Sequence, residues 1–433
     1  MKNIKIKIVT SAFLLAVTFL QTACKKDYID PSRANEVQAL TTPRGLAAVA
    51  VGLQRVYTFG RGSTLYNLVT INGLITNELI VVNPGNTAEV QLAAGGTFVD
   101  GNNSMLTQFW STCNKAIYDA DLVLTNAGNL TDKNYASGLI AYASIFKAMS
   151  LADMAQFWEK IPATTGINVS FIDRVDGFKK AITVLDDAMA AIAANPISTS
   201  FSANVPAGIN VSNTLIALKA RYSLHAGLYA QALAAANQVD LTKKSTFNFD
   251  GLSLNPIFET ATSTNNVLQV KDSTLGLIPA LAPALTDGRI PFYTSINTLA
   301  LPRYRINGFS NAAGAAFPVY LPGEITLIKA ECYARANDST NSKIFLNQVI
   351  TKTPASDIFG LGANLPPINS FGSYAALLDE IYKQRCIELY MSGQKLEDMR
   401  RFGRPVAERK RNFMPYPLRE RDNNTNTPAD PPF

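Results

Sequence analysis

The sequence predicts a mainly α-helical protein in which antiparallel helix pairs stack into a right-handed solenoid, interrupted by irregular, loop-rich segments and a few short strands. Three observations support this fold class. Apolar residues recur at three- and four-residue steps through most of the chain. The stretch 213–239 has the pattern of an alanine-rich helix pair with a glycine at its turn. Between 240 and 319 the helical period disappears, and short strand-like runs stand among Gly, Pro and Asn.

The first 23 residues have the pattern of a secretory signal peptide. Residues 1–7 are basic, 8–20 are an apolar run, and 21–23 place small residues before Cys24. The apolar run is too short to span a bilayer. A cysteine at this position predicts a lipoprotein that is cut before Cys24, acylated on it, and tethered to a membrane through the acyl chains. The alternative is an ordinary signal peptide followed by a chance cysteine. The remainder, 24–433, is predicted to be a single domain.

Helices are predicted in two blocks, about 43–239 and 320–351. Thr42 and Pro43 are typical of a helix start, and Leu46, Val49 and Leu53 follow on one face. Further helices are expected over 65–79, 104–127, 135–158, 175–194, 212–226 and 229–239. The pair around Gly227 looks like a tetratricopeptide repeat, because small alanines let two antiparallel helices approach closely. The pair 320–336 and 341–350 repeats the arrangement. Such repeats bury their apolar faces only by stacking, which predicts the solenoid.

The irregular segments separate these helices. Residues 83–103 are rich in Gly and Asn and predict a long loop. An irregular insert is predicted over about 240–319, with strand-like runs at 247–249, 257–258, 267–270 and 303–306. A second irregular segment covers 353–373. Segments of this length in a compact protein often carry function.

Composition and motifs exclude several classes of protein. The net charge of +6 falls to +3 when 1–23 are removed, and no basic tract is interleaved with aromatics, so nucleic acid is not an expected partner. The three cysteines after Cys24 have no close spacing and predict buried free thiols. The single histidine, His225, lies in an alanine-rich helix and predicts core packing. No zinc, phosphate-loop, dinucleotide or G-x-S-x-G motif occurs, so neither an enzyme nor a cofactor or metal site is predicted.

Residues 374–404 predict two amphipathic helices on either side of Gly393, which has the place of a left-handed cap. This stretch resembles the C-terminal signature of the SusD/RagB lipoproteins, in which I-x-x-E-R-x-x-E-L-x-F-E-G runs into R-x-x-D-L-R-R-x-G. The matching positions are Ile381, Arg385, Glu388, Leu389, Gly393, Asp398, Arg400, Arg401 and Gly403. Three positions depart from the pattern, with weaker buried ion pairs as the expected effect: Gln384, Ser392 and Lys395.

The resemblance implies a nutrient-capture lipoprotein anchored at the surface of the outer membrane. Such a protein binds an oligosaccharide and delivers it to a TonB-dependent, SusC-like transporter. Two alternatives remain open: a peptide-binding receptor of the RagB type, and a non-catalytic tetratricopeptide-like membrane scaffold. A glycosidase built from carboxylates distant in sequence also remains open.

The resemblance places the ligand site on loops, without a motif that fixes its residues. A sugar ring is apolar on its faces and polar at its rim, so aromatic rings near amide or charged side chains are the candidates. The candidate ligand-binding residues are Phe98, Asn102, Asn103, Tyr293, Arg303 and Tyr304. The alternative for each aromatic is local packing.

Overall fold

The computed structural model describes residues 36–264 and 266–433. Cys24 and the predicted signal peptide, 1–23, lie outside the described residues. Contacts divide the chain after Ala39, and residues Leu40–Phe433 form one unit. The single domain over 24–433 stays a prediction.

Helices account for 55% of the structure, which confirms the mainly helical class. In the first half of the chain they are α1 (Glu36–Thr41), α2 (Pro43–Thr58), α3 (Thr64–Ile75), α4 (Thr87–Ala94), α5 (Ser104–Ala127), α6 (Lys133–Phe157), α7 (Arg174–Ala194), α8 (Thr199–Ser202), α9 (Val211–His225) and α10 (Tyr229–Ala236). In the second half they are α11 (Arg289–Tyr293), α12 (Pro322–Arg335), α13 (Ser339–Ile350), α14 (Tyr374–Glu388), α15 (Lys395–Arg401) and α16 (Leu418–Asn423).

The strands are short and pair two by two. They are β1 (Leu79–Val81), β2 (Lys160–Pro162), β3 (Phe171–Asp173), β4 (Thr246–Phe247), β5 (Leu268–Val270), β6 (Thr294–Ile296), β7 (Tyr304–Ile306) and β8 (Phe317–Pro318). Within the described ranges the antiparallel pairs are β1 with β5, β2 with β3, β4 with β8, and β6 with β7. Five of the eight strands lie in the predicted irregular insert.

Polar side chains fix where the helices begin. Thr42 Oγ1 accepts a hydrogen bond from Gly45 N at 3.1 Å, and Pro43 opens α2 as predicted. Asp132 caps α6 through Tyr135 N at 2.9 Å. Each bond satisfies an amide of the first helical turn that has no partner within the helix. The predicted helix starts therefore have a local chemical cause.

The helices pack in the order of the chain. Helix α6 packs between α5 and α7, α9 packs on both α7 and α10, and α12 packs on α10, α13 and α14. Their inward faces form the larger hydrophobic cluster, and a smaller one lies between α12, α13 and α14. His225 is 6% exposed, and Cys113, Cys332 and Cys386 are buried free thiols, which confirms the predicted packing of these residues.

Several local predictions were wrong. The segment 83–103 is not a continuous loop, because it contains α4 and a 3₁₀ turn at Gly96–Phe98. Helix α4 has only eight residues, too few for a helical period to stand out from the sequence. The helix predicted to run through Leu79 ends at Ile75, and Asn77 has a φ of +66° before the chain enters β1. Residues 257–258 lead into a short π-helical turn at Phe258–Thr262 rather than a strand.

Candidate functional site

The candidate ligand-binding residues lie in two segments, 83–103 and 287–310, which are joined through β5. Strand β1, which leads into 83–103, pairs with β5 in the register Leu79↔Val270. Strand β5 also contacts β7, where Ile306 N donates to Gln269 Oε1 at 2.8 Å. The strands associated with 83–103 and with 287–310 therefore both contact β5.

In the first segment, Phe98 and Asn102 are exposed and Asn103 is buried. The Phe98 ring is 67% exposed, and Arg411 holds the turn beneath it by donating to Gly96 O and to Val99 O. Asn103 caps α5, since its Oδ1 accepts from Met105 N at 3.1 Å and from Leu106 N at 3.3 Å. Its amide group donates to Ala88 O and Gln91 Oε1. The side-chain oxygen and amide of Asn103 are therefore both hydrogen-bonded within the protein. Asn103 has a structural role and not the predicted contact with a ligand.

In the segment 287–310, Arg303 is exposed, Tyr304 is half-buried and Tyr293 is buried. Tyr304 stands opposite Ile296 in the β6–β7 hairpin. The Tyr293 hydroxyl donates to Glu388 O at 2.6 Å, and its ring is in edge contact with Phe309. Burial raises the pKa of Tyr293 well above its usual value. Tyr293 is only 2% exposed, so neither face of its ring is accessible to a sugar. Its role is therefore core packing, and not the predicted contact with a ligand.

The tip of the β6–β7 hairpin presents apolar side chains that the sequence analysis missed. Ile296, Leu299 and Leu301 are 58%, 95% and 87% exposed. These three residues are not aromatic, so the aromatic criterion for sugar binding does not select them. The signal that could have found it is the run of Ile and Leu among Asn, Thr and Pro, which breaks the usual polarity of a turn.

Arg289 joins the segment 287–310 to the signature helix α14, and sequence reasoning missed it as well. Its guanidinium pairs with Asp287 at 2.7 Å and with Glu388 at 3.2 Å. It also donates to Gln384 Oε1 at 2.6 Å. Lys352 adds a second cation to Glu388 at 2.5 Å. Gln384, one of the three departures from the family pattern, therefore contributes a neutral hydrogen bond where the pattern has a carboxylate.

The charged residues of the signature form a buried cluster. Arg385 and Arg401 both pair with Asp398, at 3.0 and 2.6 Å, and Arg401 also pairs with Glu331 at 2.8 Å. Arg385, Asp398 and Glu331 are fully buried. Buried charges of this kind are held in place by their partners, because removing one partner leaves the others uncompensated. The cluster fixes how α12, α14 and α15 meet, a structural role that matches the expected one.

An internal cavity lies between the repeat helices and the irregular insert. Its volume is about 40 Å³, and Tyr57, Asp153, Arg221 and Glu324 are among its lining residues. Tyr57 donates to Asp153 Oδ2 at 2.7 Å, and Arg221 binds both oxygens of Glu324. Burial raises the pKa of Asp153 to about 7. A cavity of this size accommodates a few water molecules and is too small for a sugar ring.

Within residues 36–264 and 266–433, no group of three or more His, Cys, Asp or Glu side chains is placed to hold a metal ion. No helix in these ranges has both the length and the apolar character needed to cross a membrane.

Known proteins share sequence features and the fold with this chain. Residues 303–431 match the sequence model of the SusD family. No curated protein matches the chain at the significance threshold applied. Among solved structures, a SusD superfamily protein from Bacteroides vulgatus has a TM-score of 0.70 and 13% identity, with 90% of this chain and 99% of that chain covered. One from Bacteroides thetaiotaomicron has a TM-score of 0.69 and 14% identity, with 90% and 100% covered.

The name of a third similar structure states that the protein binds carbohydrate. A SusD-like carbohydrate binding protein from Bacteroides fragilis has a TM-score of 0.66 and 14% identity, with 86% of this chain and 88% of that chain covered. The family match falls on the part of the chain that contains the signature helices, and the fold is shared over most of the remainder. Residues 303–431 are thus similar in sequence to the SusD family, whose members are non-catalytic binding proteins, and the chain has the fold of SusD superfamily proteins.

Proposed function

We propose that this protein captures an oligosaccharide at the cell surface and delivers it to a TonB-dependent, SusC-like transporter in the outer membrane. The observation that carries the proposal is the fold shared with the SusD-like carbohydrate binding protein of Bacteroides fragilis over 86% of this chain. The lipid on Cys24, the outer-membrane location and the transporter belong to the proposal. So does the tetratricopeptide-like, right-handed stacking of the helix pairs.

We place the sugar on the two irregular segments, with Phe98 and Asn102 on one and Arg303 and Tyr304 on the other. The repeat helices have their apolar faces packed against each other, so most of their aromatic rings are buried. Phe98 and Tyr304 each provide an aromatic ring that is at least partly accessible to solvent. Stacking against an aromatic ring contributes on the order of 1 kcal/mol beyond the area buried.

Titration calorimetry with glycans first selected on an array tests this placement. Phe98→Ala or Tyr304→Ala should weaken binding about tenfold, equivalent to about 1.4 kcal/mol, while the melting temperature changes little. The matched control is Arg400→Ala. Arg400 donates to Gln156 O at 2.6 Å and to Asn412 Oδ1 at 3.1 Å, so its loss should lower stability and leave the affinity of folded protein intact. The placement fails if Arg400→Ala abolishes binding and both aromatic variants bind normally.

A second experiment separates the receptor from its alternatives. A peptide pool screened beside the glycans distinguishes oligosaccharide capture from a peptide receptor of the RagB type. Affinity purification of the tagged protein from outer membranes should recover a large TonB-dependent barrel, whose gene is expected next to this one. Recovery of soluble partners without a barrel would favour the membrane scaffold instead.

A further inference from the structure

A surface cleft away from the candidate residues has the features of a carbohydrate site. It lies between one face of α5 and the loop 163–169 that joins β2 to β3, and its volume is about 420 Å³. Trp110 and Tyr118 both lie on α5, with Tyr118 half exposed, and Glu420 comes from α16. The hydroxyl and amide groups of its lining come from Ser111, Asn114, Thr164 and Thr165.

The carboxylate in this cleft is held in a fixed orientation. Glu420 Oε2 accepts from the indole Nε1 of Trp110 at 3.0 Å, and its Oε1 accepts from Asn424 Nδ2 at 2.9 Å. Trp110 itself is 4% exposed and packs edge-on against Trp158. An ionised carboxylate accepts about four hydrogen bonds, so each oxygen of Glu420 can accept one more. Two neighbouring hydroxyls of a sugar ring are suitable donors for such a pair.

The loop 163–169, which forms one wall of the cleft, is hydrogen-bonded to residues 424–426, directly after α16. Asn424, 4% exposed, donates to Val169 O at 3.1 Å as well as to Glu420. Asn168 Oδ1 accepts from Thr425 N at 3.1 Å, and Asn168 O accepts from Asn426 Nδ2 at 2.7 Å. One buried amide thus positions both the carboxylate and the loop, which reduces the ordering that binding would otherwise require.

The charge and composition of the side chains that line the cleft indicate a neutral ligand. Lys115 is paired with Asp119 at 2.8 Å, so the cleft has no unpaired cation among its lining side chains to attract an anionic ligand. Two other surface clefts of comparable or larger volume do not combine these features. The cleft beside Tyr374 has no carboxylate among its lining residues, and the one beside Lys352 has no aromatic ring.

We infer that the Tyr118–Glu420 cleft is a second sugar-binding site, which takes a terminal unit of a neutral oligosaccharide. The ring stacks on Tyr118, and two adjacent hydroxyls donate to the oxygens of Glu420. The volume suits one or two sugar units and lies in the range of small-molecule sites. This inference rests on the proposed function, since it requires that the protein binds carbohydrate at all.

The test uses the full mature chain and four neutral probes: maltoheptaose, cellohexaose, xylohexaose and laminarihexaose. Calorimetry is performed on a background of Phe98→Ala with Tyr304→Ala, which removes the first proposed site. On this background at least one probe should still bind. Adding Tyr118→Ala should weaken that binding at least tenfold, Tyr118→Phe should leave it within about twofold, and Glu420→Gln should weaken it about fivefold. Tyr374→Ala is the matched control, because it removes an exposed tyrosine from a different cleft.

The outcomes separate the two proposals. If no probe binds the background variant but one binds the wild type, or if Tyr118→Ala leaves binding unchanged, the second site is refuted while glycan capture stands. If neither the four probes nor an array of neutral glycans binds the wild type, the proposed function fails, and the second site fails with it.

Discussion

The guanidinium of Arg289 and the carboxylate of Glu388 form an ion pair with 3.2 Å between Nη1 and Oε2, and neither side chain is exposed to solvent. The pair joins α11, at the base of the irregular segment that carries Tyr304, to the signature helix α14. Asp287, Lys352 and Asp357 complete the group, so two cations face three carboxylates. The position of a proposed ligand-binding segment is thereby tied to the family signature.

Replacing Arg289 by alanine should lower the free energy of unfolding by about 3–5 kcal/mol, because it leaves Asp287 and Glu388 buried with less compensation. Chemical denaturation measures the change. Arg419→Ala is the control: Arg419 is exposed, and its loss should cost less than about 0.5 kcal/mol. Equal stability of the two variants would mean that the buried pair does not hold this segment.

Gly393 requires a backbone that other residues rarely adopt. Its φ is +79°, and an added Cβ would lie 2.6 Å from Leu68 Cγ. Gly393→Ala should therefore destabilise the protein by about 2–4 kcal/mol, from strain and from the clash. Gly52→Ala is the matched control, since a Cβ there meets nothing within 4 Å inside α2, and helix propensity favours alanine by about 1 kcal/mol. The prediction is wrong if both variants shift the melting temperature in the same direction.

Stability should fall as the pH rises through neutrality. Burial raises the pKa of Glu78 from 4.5 to about 7, an effect larger than the opposing influence of Lys395. The folded state therefore holds a proton that the unfolded state has released between these values. The contribution of neutral Glu78 is fully present below pH 4.5 and is lost as the pH rises through about 7. Asp153, with a pKa of about 7, acts in the same direction.

Glu78→Gln should remove the part of this pH dependence that belongs to Glu78. Between about pH 4.5 and about pH 8.5, the wild type should lose roughly 3 kcal/mol more stability than the variant, at 1.36 kcal/mol for each pKa unit. Urea denaturation at the two pH values measures both proteins. Parallel pH profiles for the wild type and Glu78→Gln would show that Glu78 is charged in the folded protein.

Cys24 should carry the lipid that anchors the protein. Cells labelled with a palmitate analogue should give a labelled wild type in the membrane fraction, and Cys24→Ala should lose both the label and the membrane association. Cys113→Ala is the control, because that buried thiol is far along the chain and should not affect acylation. A Cys24→Ala protein that stays labelled would refute the proposed anchor.

The sequence by itself determined the longer helices, their starts and the resemblance to the SusD/RagB signature. Helical periodicity and capping are properties of residues within a few positions of each other, so Thr42, Pro43 and the stripe through Leu46 and Leu53 could be interpreted directly. The match between 381 and 403 and the family signature is also local. For the same reason the helix α4, only eight residues long, was missed.

Only the tertiary structure decided which side chains of the irregular segments are available. Phe98 and Tyr293 are both aromatic residues of the irregular segments, yet one is 67% exposed and the other 2%. The difference arises because Tyr293 packs against Tyr390, about a hundred residues later, while Phe98 has no such neighbour covering it. Likewise, Glu420 becomes an oriented acceptor only because Trp110, more than three hundred positions earlier, donates to it. Burial and hydrogen bonding between distant residues depend on the whole fold, and no local pattern records them.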